Sequence, residues 1–350
     1  AGRKINRQDA YQDLFSGYYE GGKIMKLGAF SILFNDWDFE ETLDYFKENG
    51  LDAIEIGAGG YSRSSHLNAK AIIESESARQ DLRKMLDDRG MFISALGAHG
   101  NPVHPNEAIA REHHRQFEET VLAAEKMGVD TVLVMSGCPG GSPGDETPNW
   151  VTTAWPDDFQ DILKYQWEDV LIPYWKKTVK FAKDHGVDKI AVEPHPGFCV
   201  YNTETALRLH REVGKEMGVN FDPSHFFWQG MDPSLAILNL KDCIYHFHAK
   251  DSIIAEHLAL INGVLDPKPY QKMTERSWNF RTVGFGHSME VWKGIMSALS
   301  MAGYDYVISI EHEDSLMDRE EGFRKAASFL KQVIIEKAPE TMWWEMRSEG

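Results

Sequence analysis

Four segments of helical character end in glycine and pass at once into a short β-prone run. They are YFKENG before LDAIEI (51–56), LDDRG before MFISAL (91–96), AEKMG before VDTVLV (129–134) and AKDHG before VDKIAVE (187–193). Glycine ends a helix readily because it takes the left-handed backbone conformation that other residues reach at a cost. Runs at 26–32, 217–222, 243–250 and 306–313 bring the candidate strands to eight, each separated from the next by enough chain for a crossover helix. Strands joined by such crossovers run parallel. Eight units predict a single closed (β/α)8 barrel over 26–335 in preference to an open doubly wound sheet.

Two stretches break the repeat: a Gly/Pro/Trp-rich insertion at 137–173 after the fourth strand, and a long connection at 251–290 after the seventh. Both fall on the side where strands end, the face on which barrels of this kind carry their chemistry. Residues 1–25 read as a polar arm and 336–350 as a tail containing Trp343 and Trp344.

The last four strands each finish in a possible ligand: Glu193 in VDKIAVE, Asp222 in GVNFD, His248 in CIYHFH and Glu311 in VISIE. In a barrel these meet at one rim, and three carboxylates beside an imidazole require compensating positive charge. A divalent metal is the simplest source. Oxygen donors with one nitrogen and no thiolate favour Mn²⁺, Mg²⁺ or Co²⁺ over a thiolate-type zinc site, without choosing among the three.

Around that cluster the pattern nominates further groups. His225 follows Asp222 by three and is read as substrate-facing or a metal neighbour. His246 and His248 share one face of their strand, with Phe247 on the other. Lys250 is a candidate for a substrate contact or a structural ion pair. Glu55 and His99 fall near the ends of the second and third strands, His99 as a catalytic or binding candidate and Glu55 as a substrate contact or a structural group. In the first insertion Trp167 and Trp175 have the spacing of one helix face, whereas Trp150 and Trp155 could wall a carbohydrate pocket or an oligomer interface. In the second, Arg276 and Arg281 could hold a carboxylate, phosphate or hydroxyl pair. Gly284 and Gly286 in TVGFGH resemble a loop closing near a ligand.

The composition narrows the partners. Of 350 residues, 37 are Lys or Arg and 54 are Asp or Glu, a net charge of −17 that argues against a nucleic-acid surface. No early GxGxxG or P-loop is present, so no nucleotide cofactor is expected. Three scattered cysteines offer no disulfide framework, and the apolar runs are far short of the roughly 20 residues that span a bilayer. A cytoplasmic protein without membrane contact is the expectation.

A metal flanked by carboxylates supports proton abstraction next to a sugar carbonyl, with Glu193 and Glu311 as ligands and proton-transfer groups. The expected function is therefore a metal-dependent sugar isomerase or epimerase. The same array could instead drive elimination from a 3-oxo-glycoside, and a noncatalytic carbohydrate-binding subunit is the third possibility.

At these residues the chain resembles the xylose-isomerase-like TIM-barrel superfamily of sugar epimerases and inositol-catabolism enzymes, over roughly 26–335. The resemblance gives Glu193, Asp222, His248 and Glu311 the metal-ligand positions and His225 that of a substrate-contact histidine. Ketose 3-epimerases carry a glutamate where this chain has Cys199 and an arginine where it has Ile254. The YQWEDVLIPYW insertion and the FHAKD, SWNFRTVGFGH and IEHEDSLM segments look closer to catalytic subunits of bacterial C-glycoside deglycosidases. That likeness implies a manganese-type ion, 3-oxo-glycoside substrates and a small second subunit; the aromatic insertions separately suggest association into an oligomer.

Overall fold

In the computed structural model, residues 25–337 are described. Eight strands close a parallel barrel: β1 (Lys26–Phe30), β2 (Ala53–Gly60), β3 (Phe92–His99), β4 (Thr131–Met135), β5 (Lys189–Glu193), β6 (Met217–Phe221), β7 (Ile244–Ala249) and β10 (Val307–Ile310). Each strand pairs with its neighbours, and β1 closes the ring by pairing with both β10 and β2. Between β7 and β10 a small antiparallel hairpin is formed by β8 (Asp251–Ile254) and β9 (Trp278–Arg281). The expected arm lies outside the described residues except for Met25, and of the tail only 336 and 337 are described. Among the described residues no helix is long and apolar enough to cross a membrane.

All four helix-to-strand boundaries are as the sequence predicts. Gly50, Gly90, Gly128 and Gly186 have φ of 71°, 58°, 74° and 77°. At Gly90, Gly128 and Gly186 an added Cβ would meet nothing within 4 Å, so the requirement there is conformational and not steric.

The principal core lies between the barrel and its helices, built on Phe34, Phe46, Phe117, Trp175, Trp292 and Phe323, all essentially inaccessible to solvent. Trp167 and Trp175 are both buried. The helix expected to carry them is interrupted by a π-helical segment, Tyr165–Leu171, which runs into the helix Ile172–Asp184. Gln166 in that segment donates to the carbonyls of Pro139, Gly140 and Asn149, tying the first insertion down.

Inside the barrel a small apolar cluster, Ala95, Leu133 and Ala191 with Tyr245, is joined by polar side chains. Tyr245 is an extra residue: pairing shifts from Val219 with Ile244 to Asn220 with His246. A Cβ on Gly218 would lie 2.3 Å from the Tyr245 ring, so only glycine leaves room for it. Beyond this bulge His246 and His248 both face inward, with Phe247 in the outer core.

Candidate metal centre and its surroundings

Glu193 is the last residue of β5, Asp222 follows β6, His248 lies in β7 and Glu311 follows β10. One ligand atom from each lies within 4.8 Å of all the others. His248 Nδ1 stands 3.3 Å from Glu193 Oε2 and 2.9 Å from Glu311 Oε2. Asp222 also caps the short helix Pro223–Trp228, where its Oδ1 accepts from the Ser224 amide at 2.8 Å. This leaves Oδ2 turned toward the cluster.

Asp222 Oδ2 and Glu311 Oε2 are buried and accept no aligned hydrogen bond. Lys250 Nζ stands 3.0 Å and 2.9 Å from them and lies over the Phe280 ring at 4.7 Å. Lys250 thus brings one positive charge to a rim that gathers the carboxyl groups of Glu193, Asp222 and Glu311. The donor set and this crowding of carboxyl groups fit a divalent ion, and the four residues are a candidate seat for one.

The electrostatics show the crowding. Burial pushes the Asp222 carboxyl up to about 6, with Lys250 opposing the rise. For Glu193 burial also acts upward, but hydrogen bonds from His225 and His248 and the charges of His248 and Lys250 hold it well below the usual carboxylate range. Burial works against charge on His248, yet the carboxylates of Glu55 and Glu311 raise it well above the ordinary imidazole range. The nearby His99 and His225 are held below that range by burial.

Glu55 is fully buried beneath the cluster. Its oxygens lie 3.0 and 2.9 Å from His248 Nε2, and Oε2 also accepts from Ser309 Oγ at 2.8 Å. Both oxygens are thus committed to the scaffold, so Glu55 orients the histidine from behind. His99 ends β3; its Nδ1 meets Ser62 Oγ at 2.8 Å, while Nε2 lies 3.8 Å from Glu193 Oε2 without a hydrogen-bond partner. His225 Nε2 is 3.3 Å from both Glu193 Oε1 and Asp222 Oδ2.

His225 and His195 also border a cavity of about 390 Å³ whose walls include Trp150, Trp228, Tyr270 and Trp278. Trp228 and Trp278 stack with centroids 4.4 Å apart. Trp150 is therefore beside the site, whereas Trp155 is 77% exposed and does not line this cavity.

Both arginines of the second insertion are engaged with the protein. The Arg276 guanidinium lies 4.5 Å from the Tyr270 ring centroid and 4.6 Å from that of Trp278, and it donates to the carbonyls of Lys268 and Trp278. Arg281 pairs with Asp314 at 3.1 Å. The TVGFGH turn likewise closes on Asp251: the amides of Gly284, Gly286 and His287 all donate to its Oδ2, as does Trp292 Nε1. At Gly286 an added Cβ would sit 2.3 Å from the Ser252 carbonyl oxygen.

Several contributors were not singled out from the sequence. Asn220 donates to Glu193 Oε2 at 3.1 Å, and Ser309 supports Glu55. Their signal is a polar residue inside an otherwise apolar barrel strand, in MGVNF and VISI. Tyr270, Trp278 and Phe280 carry no such signal, because their meeting depends on the hairpin.

An eight-stranded parallel barrel with a candidate cation seat on the strand ends defines the general class. The chain belongs to the xylose isomerase-like TIM barrel family, whose model matches residues 43–333. It is 40% identical over 312 residues to the uncharacterized protein YfiH of Bacillus subtilis (strain 168), an overlap covering 89% of this chain and 99% of that one. Similar solved structures include the probable 3-DHS dehydratase AsbF of Bacillus anthracis, with TM-score 0.61 and 17% identity over 88% of this chain and 99% of that one. An IolI protein with a bound zinc atom gives 0.59 and 19% over 89% and 98%. A D-psicose 3-epimerase gives 0.57 and 17% over 89% and 99%. At these identities the structural likeness concerns the fold.

Proposed function

We propose that this protein is a divalent-metal-dependent sugar isomerase or epimerase that removes a proton from the carbon next to a carbonyl. The observation that carries the reading is the approach of Glu193 and Glu311, from β5 and β10, to the same nitrogen of His248. Glu193, Asp222, His248 and Glu311 hold the ion, and three oxygen donors with one nitrogen suit manganese. When bound, the ion supplies positive charge that stabilises the negative charge developing on a substrate oxygen.

The remaining work belongs to the chain. Glu193 takes the proton at a carboxylate oxygen; the hydrogen bonds and positive charges around it keep it ionised and ready to accept one. Glu311, on the other side of the seat, returns a proton to the opposite face of the carbon for epimerisation. Return by the same carboxylate to the adjacent carbon gives isomerisation. His99 offers its unpartnered Nε2 to the substrate oxygen, and His225 and Lys250 bind neighbouring hydroxyls.

The test is NMR in D₂O of Mg²⁺-loaded enzyme with panels of free ketoses and 3-oxo-glycosides. Deuterium uptake with isomer or epimer formation supports the proposal.

A second reading, elimination from a 3-oxo-glycoside, is favoured by the aromatic cavity adjoining His225, which has room for an apolar aglycone. Its signature is aglycone release that requires the 3-oxo group. A catalytic subunit working with a small partner accords with this reading, and Leu260, Ile261 and Leu265 supply an exposed apolar surface between β8 and β9. Neither uptake nor release from a metal-loaded, sugar-binding protein would leave a noncatalytic binding subunit.

A further inference from the structure

We propose that Cys138 and Cys199 are a redox pair, two thiols that close into a disulfide when hydrogen peroxide enters the cleft beside them and reopen under a thiol reductant. The segments that carry them run side by side. Met135 pairs with Glu193 where β4 and β5 end. Beyond the barrel the two segments meet again: the Cys199 amide donates to the Gly137 carbonyl and the Val200 amide to Ser136 Oγ, each at 3.0 Å. In a parallel ladder an amide bonded to residue 137 belongs to the residue lying beside 138. Backbones joined in this way are roughly 5 Å apart, inside the roughly 4.4–6.8 Å that separates the Cα atoms of a disulfide. Asn101 fixes Cys138 at that place with both ends of its amide, Nδ2 donating to the Cys138 carbonyl at 2.8 Å and Oδ1 accepting from its N–H at 3.1 Å.

The two thiols are close enough to act on one another. A hydrogen bond from the Cys199 thiol draws the Cys138 thiol below its ordinary value against the effect of burial, and the same contact, with burial added, pushes Cys199 well above. The inequality makes Cys138 the thiolate of the pair and Cys199 the thiol that resolves it. Both side chains are buried, but Cys199 also lines a cleft of about 340 Å³ together with Tyr201 and Arg208. The Arg208 guanidinium, 4.3 Å from the Trp167 ring centroid, brings positive charge to that wall.

The chemistry balances with one peroxide. The Cys138 sulfur attacks a peroxide oxygen, the O–O bond breaks, and the departing hydroxide leaves as water with the Cys138 proton, so that Cys138 becomes a sulfenic acid. The Cys199 sulfur then attacks the Cys138 sulfur, the hydroxyl leaves as a second water with the Cys199 proton, and the S–S bond forms. Two thiols give up two electrons and one peroxide is reduced to two waters. The bond fastens the chain that leaves Glu193 to the root of the first insertion. Cys243 is the internal reference: it precedes β7 at the opposite end of the barrel, where burial and then the charge of Asp242 push its thiol up to about 12.

Neither metal nor sugar enters the test, so its outcome is independent of the proposed reaction. The full chain is reduced, freed of reductant, treated with hydrogen peroxide and then denatured. Free thiols are counted with dithionitrobenzoate, and an unreduced digest is mapped by mass spectrometry. The reduced chain has three free cysteines. After peroxide the expected result is one remaining thiol, Cys243, with the peptides of Cys138 and Cys199 joined within a single chain, and recovery of all three thiols with dithiothreitol. In Cys199→Ser, Cys138 should stop at the sulfenic acid and be trapped by dimedone, whereas Cys243→Ser should form the bond as the parent does. Three free thiols in the treated parent, a bond that includes Cys243, a bond between two chains, or oxidation to sulfinic acid without a bond would each overturn the pair.

Discussion

Replacing Glu55 by Gln tests whether the candidate ion seat is held from beneath. The substitution preserves shape and removes a charge that receives His248 Nε2 at 2.9 Å and Ser309 Oγ at 2.8 Å. A hydrogen bond to a charged partner contributes about 1.5–3 kcal/mol, and a neutral one about 0.5–1.5 kcal/mol. The difference is about 1–2 kcal/mol, and each ~1.4 kcal/mol is tenfold in an equilibrium constant. If the Glu55 carboxylate fixes Nε2–H and turns Nδ1 toward the ion, Glu55→Gln should weaken Mn²⁺ binding roughly 5- to 30-fold, overlapping the roughly 10- to 100-fold typical for groups behind metal ligands. Calorimetric titration of chelator-stripped protein measures this directly, with circular dichroism verifying the fold. A variant that folds normally and binds Mn²⁺ as tightly as the parent would refute the assignment.

The other predictions probe chemistry and scaffold. Glu193→Gln should lower solvent deuterium exchange at the sugar carbon at least about 100-fold, read by NMR with metal content matched to the parent; unchanged exchange would remove Glu193 as the base. Asp251→Ala strands four N–H donors of Gly284, Gly286, His287 and Trp292. It should cost about 3–5 kcal/mol in urea unfolding, and a loss under about 1 kcal/mol would show that the turn closes without the carboxylate. Asp314 is buried, which raises its carboxyl pKa, but the amides of Thr282 and Leu316 and the Arg281 side chain outweigh this and hold it below the ordinary value. A carboxylate depressed by folding contributes stability that is present above its unfolded pKa and lost as pH falls through the folded one. Acidification below about pH 4 should therefore erode the stability of the parent more steeply than that of Asp314→Asn, and parallel curves would refute this.

What could be read in advance follows from how local each determinant is. The glycine boundaries depend on a few adjacent residues, and all four appear where the pattern puts them. Glu193, Asp222, His248 and Glu311 were legible as neighbours because equivalent strand ends must converge once eight strands close. Depth within the barrel was not legible. Glu55 pairs with Phe30 and Ala95 while β2 runs on to Gly60, so its side chain lies below the rim and not at it. The fates of Arg276, Arg281 and the TVGFGH turn were hidden for a related reason. Arg276 and the turn find their partners in or within a hairpin whose two four-residue strands are separated by 255–277, and Arg281 pairs with Asp314 beyond β10, all too far for any local rule to join them.

The extra residue in β7 bears on how this architecture can change over time. Side chains alternate along a strand, so a one-residue slip exchanges inside for outside from that point onward. Tyr245 sets the phase for everything after it: His248 at the seat, Lys250 against Asp222 and Glu311, and Asp251 gripping the 284–287 turn. Three dependencies ride on one strand's phase, and Gly218 on the neighbouring strand β6 has to stay small to permit it. Length variation among descendants of such a chain is thereby barred from 244–251, while the outer part of the hairpin segment can lengthen or shorten without moving the seat.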